Sequence, residues 1–300
     1  MTSSAQSIGV GNGRVLVGLA GRGILESRTP WMHECEGEAQ GLRLAYALFD
    51  FTDRNWSDAE LPRLLDACQQ VGFAGINVTF PFKQAVIPLL DELSGGARAI
   101  GAVNTVAFRD GRRIGYNTDV TGFADGFRAV LGQDAPGTVL QLGCGGAGSA
   151  TAHALLGTLG AERLLLSDTD AVRAAALYTQ LSEAYGEDRV ALCDDPVAGA
   201  AEVDGLLNAT PMGMAKFPGM PLPASAIEPR HWVGDIVYFP LVTEFLAEAR
   251  RKHGRLLDGS GMAVGQAADA FEIFTDRQPD RARMARSFAA FVAERVRAAA

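Results

Sequence analysis

The sequence predicts an α/β protein with two domains, and three observations support this prediction. Nearly half of the 300 residues are apolar (48%) and 21% are charged, which is ordinary globular composition with ample material for a core. Apolar runs recur, and each leads through a turn into a helical pattern, as in parallel α/β sheets. A predicted hairpin at 102–116 interrupts this alternation, and a new strand–helix series follows it, which indicates a domain boundary near 117–119.

In the first half, turn residues and periodicity predict each element in order. Ser57 and Glu60 form a capping-box pattern at a helix start. Pro81 ends one strand and starts a helix. Asp110-Gly111 is typical of a tight hairpin turn. The predicted elements are a strand at 15–20, a helix at 30–41, a strand at 44–51, a helix at 57–72, a strand at 75–79, and hairpin strands at 102–108 and 113–116.

The second half alternates more regularly between apolar runs and helical patterns. Its last stretch, from Met262 to the end, is rich in alanine and predicted to be helical. The other predicted helices are 119–131, 146–160 and 171–185, and the predicted strands are 138–142, 163–167, 189–192, 204–208 and 232–238.

Charge and composition exclude several classes of protein. The formal net charge of −8 disfavours nonspecific binding to nucleic acid. The small, polar N-terminus does not resemble a signal peptide, and no apolar run reaches the ~18 residues that span a membrane. The four cysteines and four histidines lack CxxC or metal-ligand spacing, which predicts free thiols and no metal. We therefore expect a cytoplasmic protein.

A glycine-rich turn follows the predicted strand 138–142. Residues 143–148, GCGGAG, fit G-x-G-x-x-G between a strand and an alanine-rich helix, the context that dinucleotide binding requires. The first glycine allows the tight turn, the second lets the backbone approach a pyrophosphate, and the third lets helix and strand pack closely. A purely structural glycine turn is the alternative. The predicted cofactor-binding residues of the turn are Gly143, Gly145, Gly146, Ala147 and Gly148.

Asp168 lies twenty residues after Gly148, at the end of the next predicted strand. A carboxylate there accepts hydrogen bonds from the ribose hydroxyls of NAD and repels the 2′-phosphate of NADP. The alternative role is a helix N-cap before 171–185, and the two roles are compatible.

Three polar clusters stand at the ends of apolar strands in the first half, where open α/β sheets bind ligands. They comprise residues 26–30, residues 77–83, and Asn104-Thr105 with 117–119. Turn chemistry alone explains each cluster separately, whereas all three together with Lys83 suggest a polyol site. Hydride transfer from an alcohol also needs a proton acceptor, for which Lys83 with Asp119 is the best remaining pair. From these residues alone, a solvated surface lysine is the favoured interpretation of Lys83.

Seven segments, read together, resemble the shikimate dehydrogenases. They match that family in the expected order from about residue 15 to the last helices. Residues 21–30 (GRGILESRTP) are similar to G-x-P-I-x-H-S-x-S-P, and 77–83 (NVTFPFK) to N-V-T-x-P-x-K. The other matching segments are 100–105 (IGAVNT), 117–119 (NTD), 208–214 (NATPMGM), 235–238 (DIVY) and 258–262 (DGSGM) through Gln266.

The resemblance implies an N-terminal α/β substrate domain (1–118 with 259–300) and a Rossmann-type NAD(P)-binding domain (119–258), with the C-terminal helices returning to the first. The implied reaction is reversible hydride transfer between shikimate, or also quinate, and the 3-dehydro acid, with Lys83 and Asp119 as the catalytic pair. Ser27 and Thr29 would hold the carboxylate, since residues two apart in an extended segment share a face. The other implied residues are Asn77, Thr79, Asn104, Tyr238 and Gln266 for the substrate, and Thr210, Met212, Met214, Ile236 and Gly259 for the nicotinamide.

The chain departs from the family pattern in two places. Glu26 and Gly23 replace a histidine and a proline, and Thr29 replaces a serine, a change familiar in relatives that also accept quinate. NADP-using relatives have N-R-T where this chain has 167–169 (SDT), so an aspartate replaces the arginine that would meet a 2′-phosphate. These departures favour NAD, with NADP as the alternative.

Other interpretations remain open from the sequence. One is a related dehydrogenase, such as an aminoshikimate dehydrogenase, and another is a folate-type dehydrogenase. A third, of a different class, is a non-catalytic regulator that senses NAD or a metabolite, although it would not need Lys83 and Asp119. In the preferred interpretation the partner is a small polyhydroxy carboxylate, without nucleic acid or membrane, and the chain is a monomer or homodimer.

Overall fold

The computed structural model describes residues 13–298, with side chains through Phe291. The prediction that the N-terminus is not a signal peptide concerns residues that lie mostly outside the described part. The chain divides into two compact units. We call residues up to 118, together with those from 266 onward, unit 1, and Asp119–Gly265 unit 2. The first division falls at 118/119, and the assignment of the two domains from the sequence stays a prediction. The second falls at 265/266, inside a helix, whereas the sequence placed it at 258/259.

Unit 1 contains a mixed six-stranded sheet in the order β2-β1-β3-β5-β6-β4. The β1, β2 and β3 strands pair in parallel, whereas β5 pairs antiparallel with both β3 and β6. The strands are β1 (Arg14–Gly21), β2 (Arg43–Asp50), β3 (Gly75–Val78), β4 (Glu92–Leu93), β5 (Thr105–Arg109) and β6 (Arg112–Tyr116). The helices are α1 (Thr29–Ala39), α2 (Leu61–Val71), α3 (Phe82–Ala85), α4 (Gly95–Ile100), the second part of α10 (Ser260–Thr275) and α11 (Arg281–Ala298).

Alternate residues of each strand point to opposite faces of the unit 1 sheet. Both faces are buried, because helices pack on each of them. On one face Val17 and Leu19 pack with Phe271 and Phe274 of α10. A Cβ built on Gly75 would lie 2.4 Å from the Phe274 ring, so this position must be glycine for the helix to pack. The other face packs against α2 and α3.

Unit 2 contains a fully parallel six-stranded sheet in the order β12-β11-β10-β7-β8-β9, the doubly wound arrangement of dinucleotide-binding domains. Strand order reverses between β7 and β10, so ligands are expected at the carboxyl ends of these two strands. The strands are β7 (Thr138–Leu142), β8 (Arg163–Ser167), β9 (Val190–Leu192), β10 (Gly205–Asn208), β11 (Trp232–Asp235) and β12 (Arg255–Leu257). The helices are α5 (Asp119–Leu131), α6 (Gly146–His153), α7 (Ala171–Tyr185), α8 (Pro196–Ala200), α9 (Glu244–Arg251) and the start of α10.

Several element predictions are confirmed, and others need correction. The hairpin turn is confirmed, with positive φ at both Asp110 (50°) and Gly111 (77°). The capping box is wrong, because the Ser57 hydroxyl accepts from the N–H of Ala59 and a short 3₁₀ turn precedes α2. The predicted helix at 146–160 changes at Ala154 into a π-helical turn. The predicted strand at 232–238 ends at Asp235, whose carboxylate accepts the N–H of Val237.

No helix in the described part of the chain is both long enough and apolar enough to cross a membrane.

Candidate active site

The glycine-rich turn stands directly after β7, at the reversal point of the unit 2 sheet. Gly143 has φ +99°, and a Cβ there would lie 2.7 Å from the carbonyl oxygen of Ala209. A Cβ on Gly148 would lie 2.2 Å from the carbonyl oxygen of Gly143. A Cβ on Gly145 would meet nothing within 4 Å, so the backbone there borders open space at the start of α6. These three environments match the tight turn, the close packing and the approach of a pyrophosphate, so the turn fits a dinucleotide.

The side chain of Gln141 forms hydrogen bonds that stabilise this turn, a role that was not apparent from the sequence. Its buried side chain donates from Nε2 to the carbonyl oxygens of Gly143 and Gly148, at 3.0 and 2.9 Å. Its Oε1 accepts from the hydroxyl of Thr151 at 2.8 Å. A buried amide whose donors and acceptor all have partners fixes the turn before any ligand arrives.

Asp168 follows β8 and is held against the same turn. Its Oδ2 accepts the backbone N–H of Cys144 at 2.7 Å, and its Oδ1 accepts that of Asp170 at 2.9 Å. The N-cap alternative is wrong for Asp168, because Asp170 caps α7 by accepting from Val172 and Arg173. The Arg173 guanidinium lies 3.5 Å from Asp168 and 3.2 Å from Asp170, so carboxylates already hold this nearby arginine.

The turn after β10 carries the predicted nicotinamide residues Thr210, Met212 and Met214. Asn208 holds this turn: its Oδ1 accepts the Thr210 hydroxyl at 2.6 Å, and its Nδ2 donates to the Met212 carbonyl at 2.8 Å. The side chains of Met212 and Met214 are exposed. Met214 lines a cavity of about 300 Å³ that also borders Phe239 and Val242 in the loop after β11. Exposed apolar groups around a concavity are typical of a ligand site.

Gly259 and Ile236 lie together within unit 2. A Cβ on Gly259 would lie 2.6 Å from the carbonyl oxygen of Ile236, so this position requires glycine. Tyr238 follows in the loop after β11 and is exposed (39%). Asp119, buried, is the first residue of α5, where a carboxylate is favoured by the helix dipole.

Asp235, at the end of β11, stabilises the turn after β10 through a hydrogen bond with Asn208. Its carboxylate accepts from the Asn208 amide (3.0 Å), the Val237 N–H (2.9 Å) and the Thr243 hydroxyl (2.7 Å). Burial raises the pKa of Asp235 from 3.8 to about 6, although these three hydrogen bonds act in the opposite direction. The native state therefore binds this proton more tightly than the unfolded state does.

We expect Asp235→Asn to stabilise the protein above about pH 6 and to have little effect near pH 4. In the wild type, stability is lost as the pH rises from 3.8 towards 6, because the unfolded carboxyl ionises first. An asparagine does not ionise, and it keeps the bonds to Asn208 and Val237, so the gain is about 1–3 kcal/mol. Urea unfolding of the wild type and of Asp235→Asn, at about pH 4 and about pH 7.5, measures this difference in the free energy of unfolding. An equal effect at both pH values would show that ionisation is irrelevant.

Unit 1 brings Asn77, Asn104 and Gln266 into one hydrogen-bonded group. Asn104 donates from Nδ2 to the Thr118 hydroxyl at 3.0 Å and to Gln266 Oε1 at 3.5 Å. Asn77 donates to the Asn104 carbonyl and to the Thr105 hydroxyl, and its Oδ1 accepts from the Tyr46 hydroxyl at 2.7 Å. Because protein groups use both the donors and the acceptor of Asn77, this residue is better suited to positioning its neighbours. Its partner Tyr46 was missed, since no local pattern marks a contact 31 residues away.

Ser27 and Thr29 do come together, but not in the way the sequence suggested. The extended segment is wrong, because Arg28 is helical (φ −86°, ψ −13°) and Thr29 begins α1. The Ser27 hydroxyl instead lies 3.2 Å from that of Thr29 and accepts the Thr29 N–H at 3.3 Å. Two adjacent, partly exposed hydroxyls can still donate to one carboxylate.

Thr79 and Lys83 flank the carboxyl end of β3. Thr79 is close to Gly21, where the segment 21–30 that contains Ser27 begins, since a Cβ on Gly21 would lie 2.4 Å from the methyl carbon of Thr79. The buried Phe82, with its ring 4.5 Å from that of Phe51, anchors the short α3. Lys83 is the next residue and is partly buried, and its carbonyl accepts the Val103 N–H at 2.8 Å.

Comparisons with known proteins give one consistent answer. The shikimate dehydrogenase substrate-binding domain matches residues 19–106, and the shikimate 5′-dehydrogenase C-terminal domain matches 259–287. A quinate/shikimate dehydrogenase (NAD(+)) of Corynebacterium efficiens is 47% identical over 91% of this chain and 97% of its own length. The chain belongs to the shikimate dehydrogenase family. The family assignment and the oxidoreductase class predicted from the sequence are thereby confirmed.

Relatives in the shikimate dehydrogenase family differ in the cofactor that they are named for. A shikimate dehydrogenase (NADP(+)) of an Arthrobacter species is also 47% identical, over 93% of this chain and 95% of its own. The quinate dehydrogenase of Corynebacterium glutamicum, solved with NAD, has a TM-score of 0.86 and 44% identity, and the match covers 92% of this chain and 99% of that one. A nicotinamide cofactor is therefore common to these relatives, and overall similarity does not decide between its two forms.

Proposed function

We propose that this chain is an NAD-dependent shikimate and quinate dehydrogenase. The observation that carries the cofactor choice is Asp168, whose carboxylate the Cys144 N–H holds at the glycine-rich turn. A fixed negative charge there favours the free hydroxyls of the NAD ribose and disfavours the phosphate of NADP. The cofactor would lie along Gly143, Gly145, Gly146, Ala147 and Gly148, with the nicotinamide near Thr210, Met212, Met214, Ile236 and Gly259.

The reaction interconverts a secondary alcohol and a ketone. The chemistry that nicotinamide supplies when bound is the uptake and return of a hydride. The alcohol also loses the proton of its hydroxyl group, and we assign this proton to Lys83, assisted by Asp119. Ser27 and Thr29 would bind the substrate carboxylate, while Thr79, Asn104 and Gln266 would bind ring hydroxyls. Tyr238 is a further substrate residue by the family resemblance. Asn77 then acts through Asn104, whose carbonyl accepts its amide hydrogen bond.

Thr29 supports quinate as a second substrate. A threonine keeps the donor hydroxyl of the serine that most of the family is expected to have here, but its added methyl group restricts χ1. Quinate carries an additional hydroxyl beside its carboxylate, and its saturated ring puckers where shikimate is flat. The 3.2 Å contact with Ser27 restricts the Thr29 hydroxyl, and the threonine that is familiar in relatives accepting quinate favours quinate alongside shikimate.

Initial rates with shikimate and with quinate, each with NAD and with NADP, test the proposal. We expect turnover of both acids with NAD, and a kcat/KM at least about 10-fold lower with NADP, the effect of one poorly matched charged contact. A preference for NADP would contradict the assigned role of Asp168.

The quinate part of the proposal can fail separately. If the wild type does not oxidise quinate even at high concentration, Thr29 is a packing variant. If it does, Thr29→Ser should lower kcat/KM for quinate relative to shikimate. The cytoplasmic location and the choice between monomer and homodimer stay predictions.

A further inference from the structure

Asp50 ends β2 beside Gly21, the last residue of β1, and its carboxylate is buried (2% exposed). It accepts four backbone N–H groups. Oδ1 accepts from Gly23 (2.9 Å), Thr52 (2.9 Å) and Asp53 (3.4 Å), and Oδ2 accepts from Ile24 at 2.7 Å. Burial alone would raise the pKa of Asp50, but these four bonds hold it below the ordinary value. The side chain is therefore a buried anion that backbone dipoles stabilise.

Two of these four donors belong to the segment that leads to Ser27. The Ile24 carbonyl accepts the Ser27 N–H at 2.9 Å, so the residue that Asp50 holds by its N–H also begins the turn that presents Ser27. The Ser27 hydroxyl in turn lies 3.2 Å from that of Thr29. A continuous chain of hydrogen bonds thus joins Asp50 to the pair of hydroxyls.

Arg22 fastens the same segment at a second point. Its Nε donates to Asp58 at 2.9 Å, and its Nη2 donates to the Trp56 carbonyl at 2.9 Å. Its backbone N–H donates to the Phe80 carbonyl at 3.0 Å, next to Thr79. Two of the four residues from Gly21 to Ile24 are glycines, with Gly23 at φ +66°, so without these contacts the backbone of this loop would have wide conformational freedom. Fixing such a loop in advance lowers the entropy that substrate binding must remove.

We propose that Asp50 is a positioning residue for substrate binding: it holds the Gly21–Ile24 loop so that the hydroxyls of Ser27 and Thr29 converge on the substrate carboxylate. This inference rests on the proposed function for the identity of the bound group. Asp50 itself does not touch the substrate. The two oxygens have different partners. Oδ1 accepts from Gly23 and also from Thr52 and Asp53 in the turn after β2, whereas Oδ2 accepts from Ile24 in the Gly21–Ile24 loop.

This division makes Asp50→Asn an informative variant. With the amide oxygen in the place of Oδ1, the bonds from Gly23, Thr52 and Asp53 remain, but the amide NH₂ then faces the N–H of Ile24. Two donors cannot bond to each other, so the loop loses its Ile24 anchor. We expect KM for shikimate and quinate to rise about 10–100-fold, with kcat within about threefold and KM for NAD unchanged.

Glu36→Gln is the matched control. Glu36 is also a buried carboxylate of unit 1, but it accepts from Gln40, the Asp280 N–H and Arg283, and so fastens α1 to α11. We expect this variant to lower Tm and to leave both KM values within about twofold. If Asp50→Asn behaves in the same way, Asp50 stabilises the fold only and the inference is overturned.

Two further measurements keep the inference testable in all cases. Arg22→Gln removes the second anchor and should raise KM for the acids about 3–10-fold even if Asp50→Asn does not fold. Hydrogen exchange of the peptide covering residues 22–28 should become faster in Asp50→Asn, and not in Glu36→Gln. Unchanged exchange would overturn the inference. If the wild type oxidises neither acid, the proposed function is refuted. Faster exchange in Asp50→Asn would then still support the anchoring role of Asp50.

Discussion

Replacing Lys83 with alanine should lower kcat by about 10²–10⁴, the usual contribution of a general acid or base. Lys83 is held in place by its neighbours, since the buried Phe82 packs on Phe51 and the Lys83 carbonyl accepts the Val103 N–H. Removing the amine therefore leaves the backbone in position and takes away only the group to which we assign the proton transfer. Steady-state rates at saturating shikimate and NAD measure the loss.

Lys83→Arg separates proton transfer from simple charge. A guanidinium keeps the positive charge and the reach but does not release its proton at neutral pH. We expect this variant to be as impaired as Lys83→Ala, and small primary amines to restore part of the activity of the alanine variant. Lys216→Ala, at an exposed lysine of unit 2, should retain full turnover. An unchanged kcat with a raised KM in Lys83→Ala would mean that the lysine only binds substrate.

Exchanging residues 167 and 168 for the pair that NADP-using relatives carry, as Ser167→Asn with Asp168→Arg, should change the cofactor preference by about 10²–10⁴-fold. The exchange removes the acceptor that we propose for the NAD ribose and adds a donor for the 2′-phosphate, and each charged hydrogen bond contributes about 1.5–3 kcal/mol. Asp170 lies 3.2 Å from Arg173 and continues to hold it. The ratio of kcat/KM for NADP to that for NAD measures the change.

Asp168→Asn separates the two roles of the carboxylate. The amide oxygen still accepts the Cys144 N–H, so the turn stays anchored while the negative charge and the bond from the exposed Asp170 N–H are lost. We expect about a 10-fold gain for NADP over NAD from this change alone. Asp194→Arg reverses a charge at an exposed residue beyond β9, the neighbouring strand, and should leave the ratio unchanged. A similar shift in that variant would attribute the preference to the general electrostatic field.

Local signals predicted much of the fold. Asp110-Gly111 indicated the hairpin because its turn needs positive φ at both residues, and the structure has both. The glycine turn after β7 needed only its flanking strand and helix to be recognised. The sequence did not reveal β12 or β4, because three-residue and two-residue strands have no measurable periodicity and exist only through pairing with β11 and β6.

The site was predictable as a set of motifs but not as a network. Ser27, Thr79 and Asn104 stand in segments whose letters suggest polar chemistry. Asp50, Tyr46 and Gln141 stand within strands and resemble ordinary alternation or a strand end. Their roles depend on partners that only the register of the sheet brings near, such as the 31-residue separation of Tyr46 and Asn77. Which residues orient the site is therefore decided by tertiary structure, whereas which residues can react is decided locally.

Helix α10 has a consequence for how the chain is made. Unit 2 is one continuous stretch, Asp119–Gly265, so all of it is synthesised before the C-terminal part of unit 1. Unit 1 begins the chain, yet Val17 and Leu19 are covered by Phe271 and Phe274, which are translated near the end. Until then one apolar face of the first sheet stays open to chaperones or to other nascent chains. The unit synthesised first is thus the unit completed last, and a chain truncated after Gly265 would contain a complete unit 2 attached to an incomplete unit 1.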